Sequence, residues 1–320
     1  MSFIEVKDLK VHYPIRGGFF NKVIDHVYAV DGVSLTIEEG KTYGLVGESG
    51  SGKSTIGKAI IGLEKIKSGK IIYEGKEIDG KFRNRRSEYN RNVQMIFQDS
   101  LSSLNPKKRV IDLISEPLRN FENLTLDEEK RKVSELLEIV GMNREDIYKY
   151  PHEFSGGQRQ RLGIARAVAT KPKLIIADEP VSALDLSVQA QVLNYMKDIQ
   201  EQFGLSYLFI SHDLGVVKHM CDYMFIMYRG RFVETGTKND IYKNPEHFYT
   251  KRLIAAIPEV HPEKRLKNKK RRIEIEKEYL KNEKKYYDEN GRVFDLKKLT
   301  DTHFVALKNE IMKNNGKGGK

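Results

Sequence analysis

Cysteine is nearly missing from this 320-residue chain: Cys221 is the single one. A lone thiol excludes an intramolecular disulfide and a four-cysteine metal cluster, and it fits a reducing compartment. No run of 18 or more apolar residues occurs, so no segment reads as a membrane-spanning helix. Met1-Ser2-Phe3-Ile4-Glu5-Val6-Lys7 alternates like a strand and carries an acid, so it does not read as a secretion signal. No internal repeat is present. Hydrophobic residues make up 39% of the chain, somewhat below the globular average, and the shortfall is local. Residues 263–320 carry 18 Lys and Arg against 10 Asp and Glu, a net of +8 out of the chain's +11. The preceding 262 residues are therefore close to neutral. The length allows one large domain or two moderate ones. Together these absences predict a soluble, cytosolic protein that meets a membrane only through partners.

What is present falls into alternating elements. Ile4 to Leu9 and Val33 to Ile37 alternate as strands, with Arg16 to Lys22 a glycine-bearing loop between them. Thr42 to Val46 predicts a short strand, and Thr55 to Leu63 the helix that follows. Lys70 to Tyr73 and Val93 to Phe97 predict further strands. Thr125-Leu126-Asp127-Glu128 is a capping box. After it Val133, Leu136, Leu137 and Val140 mark one helix face, and Gly141 its stop. Lys173 to Ala177 predicts a buried strand and Ser187 to Phe203 a helix. Leu205 to Ser211, Tyr223 to Tyr228 and Arg231 to Thr235 predict strands, the last two a hairpin around Arg229-Gly230. This order predicts an α/β fold: a mainly parallel sheet with helices on both faces and a helical section in the middle. Past Pro258 and Pro262 the chain predicts a charged, partly helical extension. It carries a thin apolar seam at Leu266, Ile273, Leu280 and Tyr287 and ends in a flexible Asn314–Lys320.

Gly47-Glu48-Ser49-Gly50-Ser51-Gly52-Lys53-Ser54-Thr55 fits the phosphate-cradling pattern G-x-x-x-x-G-K-[ST]. Gly50 and Gly52 let the backbone wrap so that successive N–H groups point inward. The next helix turns its positive end toward the anion. Lys53 reaches the β- and γ-phosphates, and Ser54 offers a hydroxyl to Mg²⁺. Leu174-Ile175-Ile176-Ala177-Asp178-Glu179 reads as a buried strand that delivers two acids to the sheet's C-terminal edge. There Asp178 would hold Mg²⁺ through water, and Glu179 would polarise the attacking water. Elsewhere the bland readings win. Cys221 is a buried or idle thiol, and His12, His26, His152 and His219 lack ligand spacing. The cluster Lys81, Arg83, Arg85, Arg86 is a solvated face rather than a nucleic-acid site.

The order of these motifs carries a resemblance. The phosphate loop is followed by Gln98, by Ser155-Gly156-Gly157-Gln158, by the strand with its two acids, by Ser182-Ala183-Leu184-Asp185 and by His212. Over residues 1–260 the chain resembles an ABC-type ATPase of the P-loop NTPase class. That resemblance implies an antiparallel N-terminal β-subdomain, a helical subdomain inserted at about 98–165, and a basic extension over 261–320. It implies that Gln98 touches Mg²⁺ and the water. Ser155 and Gly157 would contact the γ-phosphate held by the opposite subunit, in a signature completed by Gly156 and Gln158. Asp185 would bridge to the other subunit's phosphate loop, and His212 would bond the γ-phosphate. Tyr13 is the expected adenine-stacking ring, with Tyr28 and Phe19/Phe20 as rivals. Phe154 stands where the family usually has Leu and preserves its bulk.

Finer features resemble the oligopeptide and dipeptide importers, F-type ATPase subunits in particular. They are Gln98–Pro106, Pro151–Arg161, Glu179–Gln191 and Asn244–Thr250, the last running on to Ala256-Ile257-Pro258. This implies ATP and Mg²⁺ as cofactors, a second ATPase subunit as mate, and two transmembrane permease subunits. An external peptide-binding protein would act indirectly, nucleic acid would play no part, and the chain would sit peripherally on the cytoplasmic side of the membrane. Some relatives carry a cysteine-rich iron–sulfur tail, and no cysteine follows Cys221 here. Ribosome- or DNA-acting ABC ATPases are the main rival. They are disfavoured by the single motif set and by the short, heptad-free gap between phosphate loop and signature.

Overall fold

The computed structural model describes residues 2–18, 21–78, 87–99, 103–257, 262–289 and 291–308. The expectations for Phe19, Phe20, the Lys81–Arg86 cluster, Ser100-Leu101-Ser102, Pro258 and Asn314–Lys320 concern residues outside this set.

Two sheets organise the chain. The smaller is antiparallel, in the order β2 (Lys22–Glu38), β1 (Ser2–Gly17), β4 (Ser68–Tyr73), β5 (Lys76–Glu77). Its alternation is visible in the buried set: Ile4, Val6, Leu9 and Val11 of β1 and Val33, Leu35 and Ile37 of β2 face inward. The larger sheet has eight strands. Their order is β11 (Leu296–Lys298), β12 (Phe304–Ala306), β10 (Arg231–Thr237), β9 (Tyr223–Tyr228), β3 (Thr42–Val46), β8 (Ser206–Ser211), β7 (Leu174–Asp178) and β6 (Val93–Ile96). From β9 through β6 the pairing is parallel, and the β9–β10–β12–β11 end is antiparallel.

Every residue of β3 and β7 is buried, as parallel strands covered on both faces require. Successive residues serve different cores. Tyr43, Leu45, Ile176 and Ile210 pack with the smaller sheet and α1 (Lys53–Ile60). Val46, Ile175, Ala177 and Phe209 pack on the other side, continuous with the inserted helices. That insert lies between β6 and β7. It comprises α3 (Val110–Arg119), α4 (Leu126–Ile139) and α5 (Gly156–Val168), after a short α2 (Glu88–Asn92) that precedes β6. The capping box at Thr125 and Glu128 forms as expected, and Gly141 ends the helix at a positive φ of 67°. After β7 come α6 (Leu186–Phe203), then α7 (Leu214–Met220), α8 (Lys238–Lys243) and α9 (Phe248–Ala256).

The region beyond 261 differs from the expected charged appendage. It begins with a helix, α10 (Pro262–Asn282), and then returns to the larger sheet. Val305 and Phe304 of β12 pair antiparallel with Glu234 and Thr235 of β10, and β11 pairs outside β12. Along α10 itself the seven-residue seam does not do the packing, since Ile273 and Leu280 are exposed, while Tyr287, past the end of the helix, is buried. Tyr279 packs instead, stacked on Phe248 of α9 at 4.0 Å between ring centroids and 17° between planes. A helix of 3.6 residues per turn lying on one short partner does not need a sustained heptad.

Candidate functional site

The phosphate loop, Gly47–Gly52, joins buried β3 to α1. Gly47 and Gly52 are sterically required. A Cβ on Gly47 would lie 2.2 Å from the Met227 carbonyl oxygen, and one on Gly52 would lie 2.0 Å from that of Ala29. Gly52 also has φ of 107°. Lys53 is buried, and its ammonium donates to the Gly47 and Glu48 carbonyls at 2.7 and 2.8 Å. Burial lowers its pKa, opposed by Glu179, Asp178 and Glu48. Ser51 is buried with its hydroxyl oxygen unpartnered.

β7 brings both acids to this loop. Ser54 Oγ donates to Asp178 Oδ1 at 2.8 Å. Burial raises the Asp178 pKa, and the Ser54 hydrogen bond pulls the other way. Glu179 has a positive φ of 47°, a strained conformation for a non-glycine residue. Its carboxylate meets two of the expected residues at once: Gln98 Nε2 donates to Oε2 at 2.8 Å, and His212 Nδ1 lies 3.1 Å from Oε1. Phosphate loop, Gln98, Glu179 and His212 thus line one cleft of about 760 Å³.

The aromatic wall is less simple. Tyr28, with Val27, lines the cleft, and Tyr13 is not among its lining residues. Tyr13 stands beside it, its phenol interacting with Glu64 and Thr55. The two positions are neighbours on the hairpin, where Tyr13 pairs with Val27 and His12 with Tyr28.

Ser155, Gly156, Gly157, Gln158 and Asp185 do not join this cleft. Ser155 caps α5: its Oγ accepts from the Gln158 amide at 3.3 Å, and Gln158 Oε1 accepts from the Ser155 amide at 2.9 Å. Ser155, Gly156 and Gln158 are exposed. The first turn of α6 lies alongside, since a Cβ on Gly157 would meet Val188 at 2.5 Å, and Asp185 is the exposed residue before α6. Signature and Asp185 therefore form a second, outward-facing patch with a free helix N-terminus, suited to an anion from elsewhere.

Sequence reasoning missed Val27, Ala29, Arg229 and Gly230 of the cleft lining, and Tyr249 behind it. Arg229 lines it from the β9–β10 turn, with a positive φ of 44°. Tyr249 of α9 accepts a hydrogen bond from the Glu48 amide at 2.8 Å. Cys221 is buried, and burial pushes its thiol pKa up.

A phosphate loop, a Ser–Asp pair, a Glu held by Gln and His, and a separate capped signature helix define an ATPase of the ABC type. The comparisons agree and narrow the class. The family model for ABC transporters matches residues 30–182, and that for the oligopeptide/dipeptide transporter C-terminal region matches 233–289. The chain is 57% identical, over 96% of both lengths, to the oligopeptide transport ATP-binding protein OppF of Lactococcus lactis subsp. lactis. It is 48% identical, over 80% of this chain and 78% of the relative, to the oligopeptide transport ATP-binding protein AppF of Bacillus subtilis. Among solved structures it resembles the dimeric post-hydrolysis state of the ATP-binding cassette MJ0796 bound to ADP and Pi. The TM-score is 0.64 at 25% identity, over 73% of this chain and 98% of that one. The chain belongs to the ABC transporter family, in its group of oligopeptide transport ATP-binding proteins.

Proposed function

We propose that this chain is the ATP-hydrolysing subunit of an oligopeptide importer and that it completes its active sites by pairing with a second ATPase subunit. One observation carries the reading. The groups suited to hold and hydrolyse ATP share a cleft, whereas the signature serine and Asp185 stand apart and exposed. A second subunit turned face to face would set its signature helix over this cleft and receive this chain's signature in return. The dimeric neighbour supports the arrangement.

The cleft's own groups divide the work. Loop amides and Lys53 bind the phosphate chain: of the three ammonium donors two rest on the Gly47 and Glu48 carbonyls, which leaves the third for phosphate. Glu179 accepts the proton of the attacking water, while Gln98 and His212 fix the carboxylate's orientation. Tyr13 and Tyr28 compete for the adenine face, and the cleft lining favours Tyr28. Ser54 and Asp178 present hard oxygen donors in contact, which fits Mg²⁺. Among the described residues no group of three His, Cys, Asp or Glu is arranged to hold a metal. When bound, Mg²⁺ would neutralise phosphate charge.

Among the described residues no helix is long and apolar enough to cross a membrane. The transport role therefore needs two permease subunits, with this chain peripheral on their cytoplasmic side and an external binding protein delivering peptide. The test is the concentration dependence of hydrolysis with the second ATPase subunit present. Specific activity should rise steeply with concentration and plateau. Full activity of a strictly monomeric preparation at every dilution would sink the composite site.

A further inference from the structure

The extension beyond 261 packs on Tyr228 and on α9, whose Tyr249 reaches the phosphate loop. Tyr249 is almost fully buried, and its hydroxyl oxygen accepts the Glu48 amide at 2.8 Å. The carbonyl of the same Glu48 holds Lys53 Nζ at 2.8 Å. Tyr249 thus fixes the residue on which the phosphate-binding ammonium rests.

Behind Tyr249 stands the extension. Tyr228 lies 4.6 Å from the Tyr249 ring and 5.8 Å from that of Tyr287, centroid to centroid. The start of α9 is pinned separately. The buried Glu234 carboxylate accepts the Glu246 and His247 amides at 2.7 and 3.0 Å, and His303 Nε2 from the extension lies 2.7 Å from the same carboxylate. These contacts form one unbroken path from the extension to Lys53.

We propose that Tyr249 is a positioning residue for the phosphate loop and that the extension, through Tyr287, sets its position. The proposal rests on the ATPase reading above. It adds that nucleotide affinity depends on residues some two hundred positions from the loop in sequence.

Tyr249→Phe keeps the ring and removes only the acceptor. In the full-length chain, hydrogen exchange at the Glu48 amide should quicken by at least ~10-fold, and ATP affinity should fall ~10-fold, the size of one ordinary hydrogen bond. Exchange in the β8 amides and the melting temperature should barely move. Tyr287→Leu, which keeps an apolar side chain, should shift both loop readouts the same way. ATP affinity within twofold of wild type in Tyr249→Phe overturns the proposal. So does exchange that quickens in β8 as much as at Glu48, since that marks general loosening. A silent Tyr287→Leu overturns the role of the extension. Failure of the wild-type chain to bind ATP would strike the ATPase reading instead, so the two failures are distinguishable.

Discussion

At the residue scale the cleft turns on Glu179, whose two carboxylate oxygens are each engaged, by Gln98 at 2.8 Å and His212 at 3.1 Å. Glu179→Gln is nearly isosteric but removes the basic oxygen. ATP binding should be kept while hydrolysis falls by at least ~10²-fold, the low end for a general base. Wild-type-like turnover in a steady-state assay would refute the base role. A different residue governs pH. Glu234 raises the His303 pKa above its ordinary 6.5, with Asp240 and Glu246 acting in the same direction. The folded state therefore binds the proton more tightly than the unfolded one. The latch contributes fully below the unfolded value and is lost as pH rises through the raised folded value. The melting-temperature gap between wild type and His303→Gln should shrink as pH climbs past the ordinary 6.5 and through the raised folded value. A gap that widens with pH would show the pair to be wrongly assigned. Lys53, Asp178 and Glu179 are legible in the sequence, because loop and strand motifs keep short, fixed spacings, whereas Gln98 and His212 are reached only through the resemblance to ABC-type ATPases. Tyr249 is not legible: its partner Glu48 lies 201 residues away, and nothing local in a Phe-Tyr-Thr run announces a hydrogen bond to a distant loop.

At the scale of elements, the proposed pairing turns α5 toward another molecule. Its N-terminus is capped by Ser155 and otherwise open, and Gly157 in its first turn is closely packed by Val188, where a Cβ would come within 2.5 Å. Ser155→Arg would place a bulky cation at the positive helix end and cost the cap, on the order of 1 kcal/mol. The isolated chain should still bind ATP within about twofold, because the cleft is elsewhere, while hydrolysis in the paired assembly should be abolished. Loss of nucleotide binding by the isolated chain, followed by titration with ATP, would count against the division of labour. Elements with internal periodicity were foreseen, such as the α4 stripe of Val133, Leu136 and Leu137. The strands β11 and β12 were not. Three residues each, Leu-Lys-Lys and Phe-Val-Ala, are too short to show alternation, and what makes them strands is the open edge of β10.

At the scale of the whole molecule the basic extension is part of the catalytic body. Cutting the chain after Ile257 would uncover Phe248, Tyr249 and the β10 edge together. Each large apolar side chain returned to water costs about 1.5–3 kcal/mol. The melting temperature should therefore fall by more than about 10 °C, and a truncated chain melting like the full one would show the extension to be ornamental. Net charge gave the right location for this region but the wrong impression of its role. Lysines and arginines on the outward face of α10 outnumber the few aromatic contacts that anchor it.

The strand order β11-β12-β10 also bears on how the protein is made. A ribosome delivers β9 and β10 some seventy residues before β12, so the nascent sheet carries an unpaired border throughout that interval. Only synthesis past Ala306 supplies the strands that cap it. Until then the half-made protein is open to pairing with a neighbouring copy on the same message.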